Sequence, residues 1–190
     1  MSESRSSLAK TLAAVMIGVI AFVVMKFEFP IIPLFPFLKM DFSDVIILIG
    51  SFLFGPVSGI GMAFIKCFLS LALSGFNILS LVGQLAAFIA SVCYIVPLYM
   101  ISKKNENKFV MQVAAVAVGT ICLTVAMSLA NIWLLMPMYA KFANFNFPAT
   151  YILYGVVPFN VAKGIINGIL AILVIKFVIP QLENFASKRF

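Results

Sequence analysis

Apolar residues run along this chain in six blocks separated by short polar or proline-rich stretches. The first, Leu8 to Met25, is nearly unbroken, with Lys10 near its start. At about 1.5 Å per residue it approaches the ~30 Å thickness of a bilayer core. The second starts near Ser43, reads V-I-I-L-I-G-S-F-L-F, and closes at Gly55-Pro56. The third covers roughly Val57 to Leu73 and ends in a turn, Ser74-Gly75-Phe76-Asn77. The fourth, Ile78 to Ile101, is followed by the solvated loop S-K-K-N-E-N-K at 102–108. The fifth runs from Phe109 to Leu135, before a connector from Met136 to Thr150 that holds Pro137 and Pro148. The sixth covers Tyr151 to Ile179; Pro158 is expected to kink it or mark its start, and Pro180 to stop it. The leader M-S-E-S-R-S-S and the tail ending K-R-F flank the blocks. Blocks this long and apolar predict an all-α, integral membrane bundle of six transmembrane helices, a single domain over 1–190. No small-x-small cleavage site with a polar start follows the first block, so it is expected to stay as a helix.

One stretch breaks the pattern. Phe27 to Asp44 reads F-E-F-P-I-I-P-L-F-P-F-L-K-M-D-F-S-D, where a polar loop would be expected. Pro30, Pro33 and Pro36 fix φ and remove three backbone donors, so no regular helix runs through it. Irregular backbone this apolar has to lie against protein or line a cavity. The segment reads as a proline-stiffened cap over a binding site, with a charged hinge at Lys39, Asp41 and Asp44; a structural connector packed on the rim would show the same pattern. Lys39 and Asp41 are expected to form a local pair.

Composition supports the membrane reading. The chain is 64% hydrophobic and 10% charged, against about 45–50% and 25% for a soluble domain. There is no histidine, which removes Ser-His-Asp and Cys-His catalysis and histidine-ligated metals. Cys67, Cys93 and Cys122 lie inside apolar blocks with no C-x-x-C spacing, so no metal site or disulfide framework is indicated. No P-loop occurs, nor a pair of acids inside a block that could relay protons. The chain reads as a non-enzyme that draws any transport energy from elsewhere.

The net charge of +7 does not mark a nucleic-acid binder, because the cations sit on loops and termini. Arg5, Lys10, Lys103, Lys104, Lys108, Lys176, Lys188 and Arg189 fall on the side of the termini, and only Lys26, Lys39 and Lys141 opposite. The positive-inside rule then puts both termini in the cytoplasm. The proline cap and the 136–150 connector share the outer face.

Lys66 and Lys163 remain inside the blocks, where a charge costs about 2.5–3.5 kcal/mol on insertion scales. Asn160, Lys163 and Asn167 are spaced to lie on one face of the sixth helix, and Thr124, Ser128 and Asn131 on one face of the fifth. Thr124, Ser128 and Asn167 are read as hydrogen-bonding glue between helices. Asn131, Asn160 and Lys163 form a candidate ligand site, since asparagine offers both donor and acceptor to a ring edge and a buried lysine demands an acceptor or anion. Trp133, Phe35, Phe37, Tyr151 and Tyr154 could supply flat walls, or belong to an interfacial aromatic belt. Lys66 could pair with Asp44 or another acid, or snorkel. Ala9 and Ala13 give a small-xxx-small spacing that permits close helix approach.

The run F-P-F-L-K-M-D-F-S-D-V, the F-G-P-V-S-G at 54–59 and N-V-A-K-G in the sixth block resemble riboflavin-specific S components of energy-coupling factor (ECF) transporters, the RibU type. The likeness covers the whole chain. It implies a subunit that binds riboflavin from outside the bacterial cytoplasmic membrane and delivers it with a transmembrane coupling protein and two ATPase subunits. It further implies that Asn131, Asn160 and Lys163 hydrogen-bond the flavin, and that Leu34, Phe35 and Leu38 wall its dimethylbenzene side. Lys39, Asp41, Trp133 and Tyr154 complete the expected ligand-binding set, and Ala9 and Ala13 match the family's docking motif. An S component for thiamine or biotin, or a membrane scaffold with no ligand, are the rival readings.

Overall fold

The computed structural model describes residues 2–104 and 108–186, with side chains over 8–104 and 108–182. Residue 1, the middle of the 102–108 loop and the terminal K-R-F lie outside the described residues. The elements are α1 (Ser2–Met25), β1 (Phe29–Pro30), β2 (Lys39–Met40), α2 (Ser43–Phe54), α3 (Pro56–Leu73), α4 (Ile78–Lys104), α5 (Phe109–Ala130), α6 (Met136–Ala143), α7 (Val157–Leu173) and α8 (Ile179–Ala186). Among the described residues, five rods are long and apolar enough to cross a membrane; α2 is shorter.

Three boundaries differ from the sequence reading. The polar leader is helical, so α1 begins at Ser2. The fifth rod does not end at Leu135: it continues through a π turn, Asn131–Leu135, into α6, which shortens the connector to 144–150. Pro180 does not stop the sixth rod, which passes through a π turn at Val174–Val178 into α8.

These π turns share a cause. A third, Ile152–Val156, precedes α7, and each π turn is followed one residue later by a proline: Pro137, Pro158 or Pro180. A proline ring clashes with the carbonyl four residues back, here that of Trp133, Tyr154 or Lys176. Each of those carbonyls lies inside the widened turn, which relieves the clash without ending the rod. Asn144, in the left-handed conformation at φ 49°, then closes α6.

α2 is the hub, touching α1, α3, α4, α7 and α8. Gly55, at φ 89°, makes the turn between α2 and α3. Across the bundle α5 packs on α7 where Gly164 and Gly168 face Thr120 and Val116; a Cβ on Gly168 would come within 2.1 Å of Val116 Cγ1. The G-I-I-N-G spacing at 164–168 is a small-xxx-small seam, clearer here than the Ala9–Ala13 pair on α1.

Candidate ligand site

The loop between α1 and α2 owes its shape to its prolines. Phe35 N donates to Ile32 O at 3.0 Å and Leu38 N to Phe35 O at 2.9 Å. Pro33 and Pro36 therefore occupy the second positions of two consecutive β-turns, where fixed φ is an advantage. The ends of the loop pair as β1 and β2, Phe29 opposite Met40 and Pro30 opposite Lys39. Two strand residues each were not expected from the sequence; they close the loop on itself.

The loop turns Phe35 to the bundle, while Phe27, Phe29, Leu34 and Phe37 stay exposed. Phe35 is buried and sits over Gly155, where a Cβ would come within 2.9 Å of its ring. It meets Tyr151 edge to face at 5.3 Å. Phe37 approaches Phe145, Phe147 and Tyr151 at 6.3, 5.9 and 5.8 Å. Phe147 stacks on Tyr151 at 4.4 Å and meets Tyr139 at 5.6 Å. The proline loop and the 144–150 connector thus interlock as one aromatic lid.

Asn131 and Asn160 are buried at the lid end of α5 and α7. Both amide nitrogens bond their own helix, Asn131 Nδ2 to Met127 O at 2.8 Å and Asn160 Nδ2 to Val156 O at 2.7 Å. That ties each amide nitrogen to the carbonyl four residues back on its own rod. Lys163, one turn below Asn160, is buried too. It meets Asp44 Oδ2 at 3.3 Å and Asp41 Oδ2 at 3.8 Å.

Lys163 is one corner of a larger ionic knot. Lys66 Nζ donates to Ser43 Oγ at 2.9 Å, Asp44 Oδ1 at 3.0 Å and Ser91 Oγ at 2.7 Å. Ser91 Oγ donates to Asp44 Oδ1 at 2.5 Å. Asp41 Oδ1 accepts from Ser43 N at 2.8 Å and from the Ser43 hydroxyl. A carboxylate receiving the first N–H of α2 also complements the positive end of that helix. Asn167 Nδ2 reaches Asp41 O at 3.4 Å. Two acids and two lysines balance, which makes the burial of four charges tolerable.

The expected site residues therefore divide. Asn131, Asn160, Lys163, Phe35 and Asp41 are buried, and Leu38 packs partly buried on the core. Leu34, Trp133 and Tyr154 point outward, 72%, 77% and 61% exposed. Lys39 does not pair with Asp41; it forms an exposed ion pair with Glu28 at 2.8 Å, because the β1–β2 pairing brings residue 28 beside it. Ala9 and Ala13 stay partly exposed on α1 beside exposed Leu8, Leu12 and Met16. Sequence reasoning left Lys66 without a chosen partner and missed Ser43 and Ser91 altogether. Asn167, expected to be glue between helices, instead reaches the backbone carbonyl of the loop's Asp41. The available signal was charge balance: Asp41, Asp44, Lys66 and Lys163 are acids and bases in equal number within apolar surroundings, so they have to meet.

This bundle, lid and knot belong to a transport component. The family model described as "ECF transporter, substrate-specific component" matches residues 10–175, and the chain belongs to that family. It is a multi-pass protein of a bacterial membrane. Among its relatives, "Riboflavin transporter RibU" of Staphylococcus aureus (strain TCH60) is 34% identical over 91% of this chain and 89% of its own length. "Riboflavin transporter FmnP" of Bacillus subtilis (strain 168) is 34% identical over 94% of this chain and 96% of its own. A solved structure reported under "Structure and mechanism of the S component of a bacterial ECF transporter" superimposes with a TM-score of 0.74 at 34% identity, covering 94% of this chain and 98% of that one.

Proposed function

We propose that the protein is the riboflavin-binding specificity subunit of an ATP-driven vitamin importer. What supports the reading is the burial of Asn131, Asn160 and Lys163 on the rods of α5 and α7, which pack against each other, together with the aromatic cluster of Phe35, Phe37, Phe147 and Tyr151. The relatives' names supply the ligand. A flavin ring presents alternating N–H and C=O groups that suit two asparagine amides and one ammonium. Its flat apolar body suits Phe35, Phe37 and Tyr151. A carboxylate ligand such as biotin would compete with Asp41 and Asp44 for Lys163, so it fits less well. The lid faces outward and both termini lie in the cytoplasm, following the lysine and arginine distribution. A coupling protein and two ATPases drive release, with α1 docking through Ala9 and Ala13.

The test is an absorbance and fluorescence spectrum of the detergent-purified protein, before and after heat release of bound material. Flavin bands near equimolar ratio, with fluorescence recovering on release, are expected. A colourless protein that also leaves the fluorescence of added riboflavin unquenched would remove riboflavin as the ligand.

A further inference from the structure

The two buried lysines are held differently. Lys66 Nζ has three donors and three close acceptors, at 2.9, 3.0 and 2.7 Å. It has nothing left to offer a ligand. Lys163 has two carboxylate oxygens at 3.3 and 3.8 Å, both beyond the usual 2.7–3.2 Å of a good N–H···O bond. Asp44 connects them. Its Oδ1 is fully engaged by Lys66 and Ser91, and its Oδ2, buried and accepting no aligned hydrogen bond, faces Lys163. Asp44 is therefore locked from α3 and α4, and presents one oxygen to α7.

We propose that Asp44, clamped by Lys66 and Ser91, is a positioning residue for Lys163: it steers the ammonium toward the ligand while offsetting its charge, so that the pocket accepts a neutral hydrogen-bonding group. The inference rests on the reading of Lys163 as a ligand contact. It adds Asp44, Lys66 and Ser91, which are fully buried and lie on α2, α3 and α4, outside the α5–α7 face. A carboxylate with a single fixed orientation attracts Lys163 without a tight bond that a ligand would have to break. Asp41 is the looser partner, and it sits on the loop rather than in the clamp.

The test uses the full chain in detergent. Removing Asp44 alone would strand Lys66 as a buried cation, so the pair is replaced together as Asp44→Asn with Lys66→Met, a change that keeps the charge balanced and that buried ion pairs often tolerate. Wild-type binding of riboflavin is measured first, by fluorescence quenching; its absence would defeat the ligand reading and with it this inference. Given wild-type binding, the double variant is expected to unfold at a similar temperature, bind riboflavin at least tenfold more weakly, and shift the visible absorption band of the bound flavin as Lys163→Gln does. Adding Asp44→Asn and Lys66→Met to Lys163→Gln is expected to weaken binding less than twofold further, because both changes act through one contact. Wild-type affinity in the folded double variant would overturn the proposal. So would weakened binding with an unmoved absorption band, or full additivity with Lys163→Gln. If the double variant fails to fold, Ser91→Ala, which frees Asp44 from one side of the clamp, is expected to move the same band; an unmoved band there overturns the proposal.

Discussion

The two ends of the Phe27–Asp44 loop are attached by different physics. At the α2 end, Asp41 and Asp44 enter a knot of buried charges with donors at 2.5–3.0 Å. At the α1 end, Glu28 reaches across the β1–β2 pairing to Lys39 in an ion pair whose side chains stay 38% and 45% exposed. The turns between β1 and β2 are held by ring contacts of Phe35 and Phe37, most of them edge to face. A buried ionic contact is costly to break, a ring contact is worth a fraction of that, and a solvated ion pair is worth little. One short segment thus grades from a fixed hinge to a weakly held edge. Its sequence puts Glu28 at one end, Lys39, Asp41 and Asp44 toward the other, and Phe35 and Phe37 in the proline turns between.

The largest effect should come from breaking the knot on one side only. Lys66→Ala leaves Asp44 and Asp41 with one buried cation instead of two, and is expected to destabilise the folded protein by about 3–5 kcal/mol. Lys163→Ala should cost less, because among the described residues Lys163 meets its two acids only at the longer distances. Thermal unfolding of both variants in the same detergent gives the order. If Lys163→Ala proves the more damaging, the hinge is anchored on α7 rather than on α3 and α4.

The middle of the loop should respond less. Phe147 touches Phe37, Phe145, Tyr139 and Tyr151. Phe147→Leu keeps an apolar side chain but loses the ring geometry, for a cost of roughly 0.5–1.5 kcal/mol. The same variant is expected to release bound riboflavin several-fold faster, read as the recovery of flavin fluorescence after dilution. An unchanged release rate would mean that the lid's ring contacts do not gate the ligand.

Much of this grading could be read from the chain, and the limits of that reading are physical. The six blocks, the irregular apolar loop and the polar face of α7 follow from hydrophobic period and from what proline does to a backbone. The burial of Asn131, Asn160 and Lys163 followed from the same spacing. What could not be read was orientation off the helices. Nothing in the local sequence says that Trp133 and Tyr154 face outward, because both lie in π turns, where the widened backbone rotates side chains away from the helical period. Nor could proline signals alone separate a stop from a bulge: Pro180 and Pro137 are passed by π turns, and Pro97 sits within α4 without one. The partners of Lys66 come from two other elements, α2 and α4, and only tertiary packing sets that meeting.

The smallest effect belongs to the free edge. Glu28 and Lys39 lie eleven residues apart, brought together by the two-residue β1–β2 pairing. Both side chains keep water contact, so the Coulomb attraction is screened and the entropy of fixing two long side chains offsets much of it. Lys39→Gln is therefore expected to shift stability by less than about 1 kcal/mol, and the shift should vanish when thermal unfolding is repeated in high salt. The knot, being buried, should show almost no such salt dependence, which separates the two ends even where their effects on stability overlap. A loss at Lys39 that persists in high salt would place the edge of the loop under packing rather than charge control. The graded hinge-to-edge picture would then give way to a loop pinned equally at both ends.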